Sequence, residues 1–388
     1  MTKSKIQKPL LQNYIGLEEY LNCISTNKWK QYHNGRTFGE AYNQIKLNLE
    51  PIQKTVLPGA MADGIRECID QYKNKLNEIK KSSRSTEELF IEFLSSDHII
   101  FLNDHGPEHI QKVIERAYDI LRNATQGINE FETFILLCAI QIHDIGNVFG
   151  RAGHEKKLHE IFDEHSKDII MDTPEKRVIK NIAMAHGGKT FGGSKDTISS
   201  LCASEMIFES EIRTRFLAAV LRLADELADD STRANRSAMD FGILGIDSQI
   251  YHDYSRVLHT VKIKEDTANK DYSIILVYEL EASILSTQYN IGDKKKYLLD
   301  EIYDRTLKME QERRYCMKFM HPFINIGRID VKINIYGSYS QLLNTISYQL
   351  EDISYPDRPK IGNIKEINET VPSGEEELCL IRSKGEKI

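Results

Sequence analysis

The chain has 388 residues, 40% of them hydrophobic and 28% charged, a globular composition with enough length for one large helical domain and a smaller appended one. Its 51 Lys and Arg stand against 58 Asp and Glu, for a formal charge of −7; this argues against a chain that holds nucleic acid by bulk electrostatics and leaves room for a local basic pocket only. No apolar run approaches the roughly 20 residues that span a bilayer, and Met1 to Pro9, with Lys3, Lys5 and Lys8, leads into no apolar stretch with a cleavage site, so a soluble, cytoplasmic protein without a membrane partner is expected.

From Gly16 to about Lys81 the pattern is helical and polar, broken around Pro51 and at Pro58-Gly59, which predicts two or three helices flanking the main core. Lys80 to Glu87 reads as a solvated linker ending in a helix start, with Ser85 or Thr86 as its cap. Periodic helices then follow one another to about Leu244. Pro107 suits a first helical turn and predicts a helix through Leu121. Phe131 to Ile142 is almost wholly apolar, as a helix in the middle of a bundle should be. Phe216, Ala219, Val220, Leu223, Ala224 and Leu227 mark a second buried helix over Arg215 to Leu227.

After Asp247 the texture changes. Val257 to Ile263 and Tyr272 to Tyr278 are β-branched and aromatic runs around a polar turn, Glu265 to Lys270, and predict a hairpin. A charged helix from about Lys294 to Arg314 and a third strand, Ile329 to Tyr336, complete a small α+β layer. That helix either packs between subunits or is a solvated face. The tail from Tyr355, rich in Pro, Gly, Lys and Glu, reads as loosely ordered. The fold class is therefore mainly α, with an all-helical core and a smaller C-terminal α+β domain. The expected divisions are 1–85, an N-terminal helical segment; 86–246, the core domain; 247–354, the α+β accessory domain; and 355–388, the tail. The six cysteines contain no C-x-x-C pair and read as reduced thiols, with Cys138 filling the core.

Chemistry-bearing residues concentrate in the helical core. His109 lies in the first turn of the Pro107 helix and His105 just before it, where the dipole disfavours imidazolium and favours the neutral ring that a metal requires. Each, taken alone, reads more readily as a surface or capping histidine. The apolar helix Phe131 to Ile142 runs directly into His143-Asp144-Ile145-Gly146. A carboxylate there needs a partner, because burying it unpaired is costly; a divalent cation would satisfy both side chains, and a His–Asp hydrogen bond is the plainer alternative. Asp225 interrupts the inner face of another apolar helix and again calls for a buried partner. His186 ends a helix before Gly187-Gly188, and His154 opens one; a dipole-favoured terminal histidine explains either as simply.

The order His, His-Asp, further His, then Asp across an all-helical segment resembles the HD superfamily of metal-dependent phosphohydrolases, over roughly Phe90 to Arg236. The resemblance implies His109, His143, Asp144 and Asp225 as metal ligands, with His154 and His186 where two-metal members carry extra histidines. It implies one or two divalent ions per subunit, drawn from Mn, Fe, Co, Ni or Mg. The ion acidifies water for in-line attack on phosphorus. Asp144 would orient the nucleophile, and His154 or His186 would serve as acid–base catalyst in a one-metal site. His105 is a substrate-binding candidate, as are Arg151, Lys156, Lys157, Lys189 and Arg222, cations able to neutralise phosphates, although each of these five reads more readily as ordinary surface charge. The stretch after the doublet is similar in texture to dNTP triphosphohydrolases, with Asn147 where those carry a histidine. Arg222 to Arg236 and the trailing α+β domain look more like a bacterial HD group found beside signalling or conflict proteins. A nucleotide substrate, a homo-oligomer and a partner protein in a signalling or defence system are the resulting expectations. An HD-type nuclease and a silent nucleotide-binding module are the alternatives.

Overall fold

The computed structural model describes residues 11–54, 106–146, 154–190, 192–229, 246–266, 271–291, 294–351, 363–366 and 368–384. Ser85, Thr86, His105, Asn147 and Arg151 lie outside them, as do the side chains of His154, Lys156 and Lys157. The described residues group into two compact units, one drawn from 11–54, 106–228 and 312–325, the other from 229–311 and 326–384.

The first unit is helical. Helix α1 (Leu17–Ile24), a 3₁₀ turn (Asn27–Tyr32) and α2, described over residues 38–54, are followed by α3 (Pro107–Leu121), α4 (Glu130–Ile142), α5 (His154–Ser166), α6 (Thr173–Met184) and α7 (Thr214–Glu226). Twelve of the thirteen residues of α4 are buried, because α1, α3, α6 and α7 all pack on it; this surrounds the helix that its almost wholly apolar sequence predicts. Its start is set by a capping box in which Asn129 accepts from the Glu132 amide at 2.8 Å and Glu132 accepts from the Asn129 amide at 3.2 Å. Glu132 also takes a two-pronged bond from Arg213, 2.7 Å on each oxygen, which ties the entry of α7 to that of α4.

A two-stranded hairpin, β1 (Glu205–Ile207) and β2 (Ser210–Ile212), precedes α7 and was not expected from the sequence. Its turn holds Phe208 and Glu209 at φ of 47° and 65°, a geometry that normally selects Gly or Asn and so left no turn signal. Phe208 stacks on Tyr32 at 3.6 Å between ring centroids, and that packing holds the turn.

The second unit contains α8 (Ile246–Val257), β3 (Leu258–Asp266), β4 (Asp271–Glu281), β5 (Gln288–Ile291), β6 (Lys294–Tyr297), α9 (Leu298–Met320, from Glu312 onward part of the first unit), β7 (Ile326–Tyr336), β8 (Leu342–Glu351) and α10 (Gly374–Ser383). The main sheet runs β3-β4-β7-β8. The β3–β4 hairpin is the one expected. β4 and β7 are parallel, with Leu276 opposite Val331, which demands a long crossover between them. One face is apolar: Ile274, Leu276, Tyr278, Leu280, Ile329, Ile333 and Leu350 are all buried, the alternation of a half-covered sheet.

Three expectations need correction here. Lys294 to Tyr297 is a strand paired antiparallel with Gln288–Ile291, and the helix begins at Leu298 and continues past Arg314 to Met320. The α+β layer has a further strand, β8, antiparallel to β7. The tail is not loose throughout: α10 is closed by a capping box in which Ser373 and Glu376 exchange bonds of 2.7 and 3.3 Å, enough to start a helix within a charged stretch. No helix among the described residues is long and apolar enough to cross a membrane.

Candidate metal centre

Three helix ends converge in the first unit. On α3, Gly106 and Pro107 open the helix and His109 follows in its first turn, facing inward with Ile110 and Val113. At the far end of α4, His143 caps the helix and Asp144 follows it. The last-turn carbonyls, which lack intrahelical partners, are satisfied from the side. Ile140 O accepts from His143 Nδ1 at 2.8 Å. Gln141 O accepts from Gln53 Nε2 at 3.0 Å, and Gln53 also donates to Gln141 Oε1 at 2.8 Å while Gln141 Nε2 donates to the Tyr42 hydroxyl at 2.9 Å. Two buried side chains of α2 thus hold the exit of α4 in place. Asp225 comes from the last turn of α7.

One ligand atom from each of His109, His143, Asp144 and Asp225 can be chosen so that all lie within 4.8 Å of one another. His109 Nε2 stands 3.2 Å from Asp225 Oδ1 and 3.7 Å from Asp144 Oδ2. His143 Nε2 stands 3.4 Å from Asp144 Oδ2 and 3.6 Å from Asp225 Oδ1. These separations are longer than direct hydrogen bonds prefer. Two of them fall within the roughly 3.0–3.5 Å expected between neighbouring donors at about 2.1 Å from a common ion, and the other two, 3.6 and 3.7 Å, lie just beyond it. The bond from His143 Nδ1 to a carbonyl makes Nε2 the nitrogen that carries the lone pair once the ring is neutral, the state a metal ligand needs; Nε2 is buried and finds no aligned hydrogen bond among the described residues. Two imidazoles and two carboxylates form a donor set for a divalent cation, and the site fits one. It opens on one side, since Asp225 and His186 are partly exposed whereas His109, His143 and Asp144 are buried.

His186 lies at that open side. Its Nε2 is 3.6 Å from Asp144 Oδ1, the oxygen turned away from His109 and His143, and its ring meets that of His143 edge-on at 4.9 Å. Its Nδ1 donates to the Ala183 carbonyl, so Nε2 carries the lone pair. Burial opposes charge on His143, but Asp144 and Asp225 outweigh it and hold the imidazole well above its ordinary range. Burial likewise raises Asp225, yet contact with His109 and His143 brings it well below the usual carboxylate range. The metal-free cluster therefore keeps a proton on His143 that a cation must expel. Cation affinity should weaken as pH falls through that raised value, with proton release visible in calorimetric titrations run in buffers of different ionisation heat. Affinity independent of pH, without proton release, would contradict this account.

The other expected site residues divide. Lys189 is exposed on the loop after His186. Arg222 is corrected: it is not a free cation for substrate but is 8% exposed and paired two-pronged with Glu312 at 2.7 and 2.9 Å, over the Tyr315 ring. Glu312 lies on α9, and nothing local in the sequence announces this pairing. Sequence reasoning also missed Gln53 and Gln141, although a glutamine inside so apolar a helix was a signal that it had a buried partner.

No curated protein and no solved structure shows significant similarity to the chain. A family model, HD-CE, matches residues 97–308, which include all four clustered ligands and His186. The chain belongs to the HD-CE family and carries its HD-type domain.

Proposed function

We propose that this protein is a divalent-metal-dependent phosphohydrolase acting on a nucleotide, and the observation that carries the reading is the buried His109–His143–Asp144–Asp225 cluster with His186 at its open side. His109, His143, Asp144 Oδ2 and Asp225 would hold the ion. When bound, a divalent cation neutralises charge on a phosphoryl oxygen and acidifies water. Asp144 Oδ1 and His186 Nε2, facing each other at 3.6 Å, bracket the position from which water attacks phosphorus. With its proton on Nδ1, His186 is ready to accept the water proton at Nε2 and return it to the leaving oxygen, so that one phosphoester or phosphoanhydride bond is exchanged for one water. The burial of His109 and His143 keeps bulk water from their ring nitrogens and strengthens these interactions.

The nucleotide assignment rests on the exposed Lys189 beside His186 and on the overall charge of −7, which disfavours a long nucleic acid as substrate. The test is metal analysis of the purified protein, then product identification after incubation with dNTPs, NTPs, cyclic nucleotides and single-stranded DNA. A His143→Ala/Asp144→Ala double variant is the control. Nucleotide turnover lost in the double variant is expected. Cleavage confined to DNA would replace the reading with a nuclease, and a metal-loaded protein that turns over nothing would leave a binding module.

A further inference from the structure

His186 is not inside a helix; it follows Met184, the last residue of α6, and needs something to hold it. The structure supplies a chain of polar groups, buried at Thr197 and Arg222 and partly buried at Glu312. Thr197 donates from Oγ1 to the Ala185 carbonyl at 2.7 Å, so it grips the peptide unit that joins Ala185 to His186. A hydroxyl has one proton. With that proton committed to Ala185, Thr197 Oγ1 must accept from its other neighbour, Arg222 Nη1, at 3.0 Å. Arg222 in turn spends Nε and Nη2 on the two oxygens of Glu312, so every donor direction along Glu312, Arg222, Thr197 and Ala185 is determined. Arg222 Nη1 also reaches the Lys195 carbonyl at 3.4 Å. Tyr315, whose ring lies 4.6 Å from the Arg222 guanidinium, accepts from the Ile198 amide at 2.9 Å and donates to Asp196 at 2.7 Å. The segment 195–198 is thus held at four consecutive residues, and Thr197 is the one that touches the peptide of His186.

Stability alone does not account for this arrangement. A buried ion pair loses much of its Coulomb gain to desolvation, and apolar residues of similar size often serve a fold as well or better. What the pair does here is geometric. Arg222 sits one helical turn before Asp225 on α7, so the same guanidinium that is fixed relative to Asp225 also fixes the end of α6. We propose that Thr197, gripped by the Arg222–Glu312 pair, is a positioning residue that orients the Ala185–His186 peptide and so holds the His186 imidazole against Asp144. The proposal rests on the reading of His186 as the acid–base group.

The experiment compares Thr197→Val, which keeps the shape and removes the hydroxyl, with Thr197→Ser, which restores it, and with the double variant Arg222→Met/Glu312→Leu. On the substrate that the wild type turns over, Thr197→Val should lower kcat by about 10- to 100-fold, the usual cost of misplacing a catalytic group by about 1 Å. KM and metal affinity should stay within about twofold, because the four ligands do not depend on Thr197, and Thr197→Ser should recover most of kcat. The double variant should melt near the wild-type temperature and show the same kcat loss. A second readout does not need turnover: in the ¹⁵N imidazole spectrum, His186 should show one tautomer in wild type and Thr197→Ser, and averaged tautomers in Thr197→Val. Wild-type kcat together with an unchanged His186 spectrum in Thr197→Val would overturn the proposal. If the wild type hydrolyses nothing, the functional reading fails while the spectrum still decides the role of Thr197.

Discussion

Asp144→Ala should lose its bound divalent metal and its hydrolytic activity together. Asp144 turns its two oxygens toward different partners, Oδ2 toward His109 and His143 and Oδ1 toward His186. Its removal takes a negative donor from the cluster and the acceptor from the open side at once. Loss of an outer hydrogen-bond partner of a ligand already costs about 10- to 100-fold in metal affinity, so removal of the ligand itself should cost at least about 100-fold. The clearest readout is thermal. Metal at about a hundred times its dissociation constant adds about 2.7 kcal/mol to a folded protein that alone binds it. Wild type should therefore melt several degrees higher with metal than after chelation, and Asp144→Ala should melt at the same temperature in both. A metal-dependent shift of wild-type size in the variant would place the ion elsewhere.

The second large effect lies away from the site. His33 and Glu175 are both fully buried, with His33 Nε2 at 2.9 Å from Glu175 Oε1 and 3.1 Å from Oε2. His33 Nδ1 donates to the Trp29 carbonyl at 3.0 Å, so the contact between Nε2 and the carboxylate must share one proton. Phe38 and Phe134 flank the imidazole, and none of its surface is exposed. His33→Leu should therefore destabilise the fold by about 3–5 kcal/mol, the cost of leaving a buried charge without its partner. The double change His33→Leu/Glu175→Met should recover much of that loss, as read from the midpoints of urea unfolding. Burial is the largest influence on Glu175 and raises its carboxyl, with His33 acting against it. A carboxyl raised on folding contributes stability below its unfolded value and loses that contribution as pH rises through the folded one. Without His33 the opposing influence is gone, and the deficit of the single variant should deepen from mildly acidic to neutral pH. A His33→Leu variant as stable as wild type across that range would show that Glu175 is content alone.

How much of this was legible before the chain was folded differs by element. The centre of the helical unit was, because the buried positions of α4 appear in the sequence as an almost wholly apolar stretch, unbroken from Phe134 to Ile140. The residues of the metal centre were legible for a related reason. Pro107 marks the start of α3, the apolar run ends at His143-Asp144, and Asp225 interrupts an otherwise apolar stripe, so each ligand stands where local pattern makes a polar group conspicuous. The β5–β6 strands, β8 and α10 were less so. Lys294 to Tyr297 and Leu342 to Glu351 carry many polar residues and owe their strand geometry to a partner strand, not to their own propensity.

Sequence alone determined which residue types stand at the ends of which helices, since helix periodicity, proline and capping act over a few residues. Tertiary structure decided which of those ends meet. Arg222 looked like a cation for substrate until Glu312, 90 residues away, claimed it, and His33 gave no sign of Glu175, 142 residues away. Such pairs are chosen by how helices pack, and a charge buried by packing must take whatever opposite charge the packing brings to it. The same rule, applied to two histidines and two aspartates brought within 4.8 Å, makes the centre of this molecule a place for a cation.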